Sequence, residues 1–241
     1  MMSRGDKIQT FDGEGRENLP NVVKNIKNYM RGLISNGIPY PVKVIFFTLQ
    51  GEGPMLAYNQ LSGLDLKIIA VTFPATYTIK LKTGGTYPPD MPEKVRKFFD
   101  GVEIPIIRAR LPFDDISGAE LHNKEMAMLK SALSVFGGSM PLAIQAVLQA
   151  TDSGHIPSGE EVIVATSDTA LLVTASTTKD FLDKTNGLVV NEIICKPRNF
   201  NISRPQPKPS PILQMPSPFS EHPTILEGEV SQTGRTHLVD E

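Results

Sequence analysis

A chain of 241 residues with 24 Lys plus Arg against 26 Asp plus Glu carries a formal net charge of -2, which excludes a nucleic-acid binder relying on bulk positive charge. Its single cysteine excludes an intramolecular disulfide framework and any zinc site built on several thiolates. A hydrophobic fraction of 40% with no apolar run near the roughly 20 residues that span a bilayer excludes a transmembrane helix. The segment Met1-Met2-Ser3-Arg4-Gly5-Asp6-Lys7 lacks the apolar core of a secretory signal. A cytoplasmic protein with no membrane or nucleic-acid partner is expected.

Ile8 to Phe11 predicts a short strand. Asn21 to Ile34 sets Val22, Val23, Ile26, Tyr29, Met30 and Leu33 at helical spacing, and Asn36-Gly37 supplies a stop. Val42 to Thr48 is mostly apolar, as a strand buried on both faces would be. A short helix over Met55 to Leu61, with Pro54 in its first turn, leads to a strand at Leu66 to Thr72. Pro92 to Phe99 reads as a helix and Ile104 to Ile107 as a strand. Two helices follow, Glu120 to Phe136 and Pro141 to Ala150, split by Gly137-Gly138. Strands close the pattern at Val162 to Ala165, Ala170 to Thr174 and Val189 to Cys195. Apolar strands alternating with helices specify an α/β domain with a mostly parallel sheet covered on both faces. Short connections among the closing strands add an antiparallel edge strand.

The pattern stops near Ser203. Seven prolines between Arg204 and Pro223 bar both helix and central strand. Residues 204–241 therefore read as a Pro-rich, disordered tail behind a domain of residues 1–203. The tail holds Arg204, Lys208 and Arg235 against Glu221, Glu227, Glu229, Asp240 and Glu241, so it carries the whole net charge and the domain is neutral.

Ligands of open α/β sheets sit beyond the carboxyl ends of the strands, often at helix N-termini. Four segments hold such positions. In Gly13-Glu14-Gly15-Arg16-Glu17-Asn18, Arg16 offers a fork of donors and Asn18 a helix cap, although a plain flexible turn reads equally well. In Gly51-Glu52-Gly53-Pro54, following Thr48, the place suits a phosphate, but Glu52 would repel an anion and Pro54 deletes a backbone donor. The lysine of a P-loop is missing. No acidic residue ends the next strand either, which disfavours a nicotinamide dinucleotide. Thr72, Phe73 and Tyr77 could hydrogen-bond and stack on a planar ring, or simply cap the core. Thr166, Ser167, Asp168 and Thr169 form a hydroxyl-rich turn suited to a phosphate or ribose, and equally to an ordinary turn.

Other constellations carry no chemistry. His122, His155, His222 and His237 lack metal-ligand spacing. Adjacent Asp114 and Asp115 would point apart, and Ser139 lies in no nucleophile elbow. Cys195 reads as a buried small hydrophobe; Arg108 and Arg110 would share one face and could hold a phosphate, although a solvated face or salt bridges to Asp114 and Asp115 is the better reading.

Three segments carry a resemblance: Gly15-Arg16-Glu17-Asn18, Ala150-Thr151-Asp152-Ser153-Gly154-His155-Ile156-Pro157, and Glu192-Ile193-Ile194-Cys195-Lys196-Pro197-Arg198-Asn199. From Ile8 to Asn199 the chain resembles the stand-alone "pyruvate kinase C-terminal domain-like" proteins of archaea and bacteria. The resemblance implies a three-layer α/β/α sandwich and an FMN site. It does not imply pyruvate kinase activity, whose chemistry belongs to a barrel domain. Two departures weaken phosphate recognition: the family's hydroxyl donor is missing from Thr48-Leu49-Gln50-Gly51-Glu52-Gly53, and its glycine-rich turn is shortened to Ala165-Thr166-Ser167-Asp168-Thr169-Ala170. The expected function is small-molecule binding, with FMN or another phosphorylated ligand. Arg16, Asn18, Thr48, Gly51, Glu52, Gly53, Thr72, Phe73, Tyr77, Asp152, Ser153 and Thr166 to Thr169 would line the site. The alternatives are a flavin-dependent oxidoreductase and a cofactor-free effector or interaction module; a homo-oligomer is left open.

Overall fold

The computed structural model describes residues 8–75, 77–80, 85–113, 124–137 and 139–200. The tail expected at 204–241, Asp114, Asp115 and three of the histidines, His122, His222 and His237, lie outside them. In chain order the described elements are β1 (Gln9–Gly13), α1 (Leu19–Ser35), β2 (Lys43–Phe47), α2 (Glu52–Gln60), β3 (Lys67–Thr72), β4 (Ile79–Lys80), β5 (Thr86–Tyr87), α3 (Glu93–Gly101), β6 (Ile106–Arg108), α4 (Lys124–Ser134), α5 (Met140–Asp152), β7 (Glu161–Ala165), β8 (Ala170–Thr174) and β9 (Val189–Asn199). Among them no helix is long and apolar enough to cross a membrane.

Seven strands form one sheet in the order β1-β9-β8-β7-β2-β3-β6. Every neighbouring pair is parallel except those that β8 makes with β7 and β9. The fold is thus α/β with a mostly parallel sheet. The block β6-β3-β2-β7-β8 closes on the reversed strand, and β9 with β1 extends that margin. The small antiparallel pair β4-β5 stands apart from the sheet; strands of two residues are too short to show a period, and the sequence gives no sign of them.

Val44, Ile45, Phe46 and Phe47 of β2 are all buried, so both faces of the sheet must be covered. One face shows Ile45, Phe47, Ile69, Val71, Val162, Val164, Leu171 and Val173 to α5, with Met126, Leu129 and Leu133 of α4 packed against the same cluster. The other lies under α1, α2 and α3: a Cβ built on Gly53 of α2 would stand 2.7 Å from the Phe46 ring, and one on Gly51 would stand 2.5 Å from Val95 of α3. α1 buries Leu19, Val22, Val23, Ile26, Met30 and Leu33, a stripe at the spacing a surface helix needs.

Two elements run further than their periodicity suggests. α2 starts at Glu52, since Pro54 falls in its first turn, where a missing N–H costs nothing. β9 runs on to Asn199 through Pro197. Past Cys195 its strand partner among the described residues is β1 alone, so one side of the strand is an edge, where proline is tolerated.

The segment after β6 is pinned to α5 by two buried glutamines one helical turn apart. Gln145 Oε1 accepts the Phe113 N–H at 2.8 Å, and Gln149 Nε2 donates to the carbonyls of Ala109 at 2.8 Å and Arg110 at 3.0 Å. Replacing Gln149→Leu removes both donors at similar volume and should cost about 1–3 kcal/mol. Urea unfolding checks this; an unchanged midpoint would mean that water serves those carbonyls equally well.

Candidate functional site

β2 has β3 on one side and β7 on the other. The chain leaves β2 through α2 toward β3, and returns to its far side only at β7, by way of α5 on the opposite face. Where connections part in this way, at a switch point, the place for a ligand in an open α/β sheet is the crevice beyond the carboxyl ends of the two strands. Thr48 to Glu52, after β2, and Thr166 to Thr169, between β7 and β8, form its walls. A third segment, Gly13 to Asn18 after β1, reaches both.

Two contacts fix that reach. The Gly15 N–H donates to Asp168 Oδ2 at 3.3 Å, and the Arg16 guanidinium donates to Glu52 Oε1. The other oxygen of Glu52, Oε2, accepts from Thr48 Oγ1 and from the Gln50 N–H, both at 3.2 Å, while Thr48 Oγ1 itself accepts the Gly51 N–H at 2.9 Å. The carboxylate thus sits at the N-terminus of α2, where the helix dipole favours negative charge. Gly51 enters this turn at φ +93, the left-handed region that favours glycine. Gln50 Nε2 donates to the Tyr87 hydroxyl at 2.9 Å and brings β5 to the same place.

Asp168 is almost fully buried in the opposite wall and accepts hydrogen bonds from Thr169 Oγ1 at 3.0 Å and Thr166 Oγ1 at 3.4 Å. Ser167 is half-buried beside it. Behind the turn lies Cys195, fully buried. Burial pushes its thiol up to about 12, the Asn25 side chain pulls in the other direction, and the nearby Asp168 charge adds to the rise. The reading of Cys195 as a buried small hydrophobe holds.

Other predicted residues lie elsewhere. Phe73 and Tyr77 are at the carboxyl edge but pack with the α5-side core, and their rings stack on each other at 4.6 Å and 21°, with Phe47 edge-on to Phe73 at 5.0 Å. Asn18 does not cap α1; its Nδ2 donates to the Gly13 carbonyl at 2.8 Å and closes the loop on itself. Asp152 and Ser153 end α5 just before β7 begins, at the amino edge, away from the crevice. There Asp152 Oδ1 accepts the Thr178 N–H at 2.9 Å, and Ser153 Oγ donates to the Ala150 carbonyl at 3.1 Å. Arg108 pairs with Asp90, which Arg96 also holds through both oxygens at 3.1 Å. The Arg108 guanidinium, with Arg96, keeps the Asp90 carboxyl below the usual carboxylate range.

Thr72 ends β3, fully buried, and its Oγ1 has no hydrogen-bond partner among the described residues. Gln50 and Tyr87 join this cluster of polar groups, though periodicity and motif do not mark them. No group of His, Cys, Asp and Glu among the described residues could hold a metal ion. Comparison with known proteins finds no matching family model and no matching curated protein.

Gly51→Ala combines a left-handed φ with a Cβ 2.5 Å from Val95 Cγ1 and should cost about 2–4 kcal/mol. Gly37→Ala, at φ +64 with nothing within 4 Å, should cost about 1–2 kcal/mol through conformation alone. Equal losses in thermal unfolding would refute the steric part. For Cys195, the unfolded thiol ionises near 9.0 and the folded one near 12. Its contribution is therefore full below pH 9.0 and is lost as the pH rises toward 12, at up to about 1.4 kcal/mol per unit. Urea midpoints at about pH 8 and pH 10 should fall further for the wild type than for Cys195→Ala; parallel falls would contradict this.

Proposed function

We propose that the chain is a small-ligand-binding α/β domain of the pyruvate kinase C-terminal domain-like type, with FMN or another phosphorylated ligand seated in the β2/β7 crevice. The observation that carries this reading is the convergence there of Arg16, Thr48, Glu52 and Asp168 from three separate segments, linked by the Gly15 and Gln50 amides. Fixed polar groups at a switch point are what a ligand-binding sheet supplies.

FMN brings a phosphate and a flat ring. The donors suit a phosphate in kind, being a guanidinium, a hydroxyl and backbone amides at a helix N-terminus. They do not suit it in charge, because the Glu52 carboxylate already engages them. For the ring, Phe73 and Tyr77 stack without a gap between them, so a third ring finds an outer face of the pair rather than a slot. A ligand touching both groups would lie across the ends of β2 and β3.

Titrating the purified protein with FMN, while following flavin absorption and fluorescence, tests the reading. A shifted spectrum with saturable quenching is expected. A colourless protein and no spectral change up to about 1 mM FMN would reject FMN as the ligand.

A further inference from the structure

The Glu52 carboxylate has both oxygens engaged, one by Arg16 and the other by the Thr48 hydroxyl and the Gln50 amide. Its side chain is 19% exposed and that of Arg16 33%, so the pair is only partly screened by water. A helix N-terminus, a backbone N–H, a hydroxyl and a guanidinium are the donors with which proteins hold an external oxyanion. Here the anion belongs to the chain.

A second observation comes from β3. The β2–β3 register pairs Phe46 with Ala70 and Phe47 with Val71, so the next residues in line are Thr48 and Thr72. Phe46 faces α2, and side chains two apart share a face, so Thr72 stands on the α2 side at the level of Thr48. Its Oγ1 is buried and unpartnered among the described residues. Buried hydroxyls are rarely left so. A carboxylate has two acceptor oxygens and both are used, whereas a phosphoryl group has three.

We infer that Glu52 is a built-in competitor for the anion seat of this site. A phosphoryl group of the ligand displaces its carboxylate from Arg16, Thr48 and Gln50, and its third oxygen gives the Thr72 hydroxyl a partner. The inference rests on the reading of the crevice as a phosphorylated-ligand site and adds what governs entry. Free inorganic phosphate, with no other contacts to offset the loss of Glu52, is turned away. A phosphorylated ligand that also touches the walls is admitted.

The probe is inorganic phosphate, read as a shift in the melting temperature at constant ionic strength and as heat in titration calorimetry. Wild type should show no response at about 10 mM phosphate, and Glu52→Ala should bind on the order of tenfold to a hundredfold tighter, since no carboxylate then has to be displaced from the donors or left beside the bound anion. Adding Thr72→Val to Glu52→Ala should remove most of that gain. Thr72→Val alone should leave the melting temperature unchanged or raised; a fall of about 3 °C or more would show that the hydroxyl has a partner and overturn its part in the site. A folded Glu52→Ala that gains no phosphate affinity overturns the inference, as does wild type binding phosphate equally well. If wild type binds FMN while Glu52→Ala gains nothing, the ligand reading stands and this inference falls. A phosphate gain without FMN binding rejects FMN and leaves the seat, with Glu52 as its competitor, to another phosphorylated ligand.

Discussion

β2 is buried on both faces, and much of the molecule follows from that requirement. A strand with Val44 to Phe47 all inside needs helices above and below it. The chain meets the need by leaving through α2 on one face and returning through α5 on the other. Two connections departing on opposite faces make the strand ends beside Thr48 the switch point of the sheet, the place where open α/β sheets take ligands. The site is thus a consequence of covering an apolar strand rather than an addition to the fold. The strong preference of parallel sheets for right-handed crossovers favours one direction for each connection.

Electrostatics then separates two clusters that look alike on paper. Asp90 with Arg96 and Arg108 is a triad of charges, but Asp90 is 52% exposed, and pairs in that much water contribute about 0–1 kcal/mol. The Arg16–Glu52 pair is less exposed and reinforced by a hydroxyl and an amide, so it holds the loop after β1 against α2 more firmly. On the reading proposed above, a charged ligand would meet organised resistance and organised attraction together at this pair.

Much of this was legible in the residues. The apolar run Val44 to Phe47 of β2 and the five residues of β8 stand out in the sequence, because burial on both faces leaves a plain signature. The start of α2 was obscured by Gly51-Glu52-Gly53-Pro54, which has the composition of a loop although Glu52 already belongs to the helix. Two placements follow from sheet geometry rather than from any local motif. A helix-to-strand turn in a parallel sheet falls at the amino edge, which sends Asp152 and Ser153 away from the crevice. Alternation along β3 puts Thr72 and Phe73 on opposite faces, so the hydroxyl and the ring do not share a wall. The Gln50–Tyr87 contact, across 37 residues of sequence, leaves no local trace.

The pairing of β1 with β9 sets the order in which the molecule can become competent. Gln9 lies beside Cys195, and the Asn199 side chain donates to the Asp12 carbonyl, 187 residues away. Closing so long a loop is entropically costly and comes late. On a ribosome, β1 has no place in the sheet until β9 has emerged, and the Arg16 that follows β1 is not anchored over Glu52 before then. The crevice is thus assembled by the first and last strands of the described domain acting together, and a chain interrupted before Cys195 would carry α2 and its carboxylate with no arginine held against it.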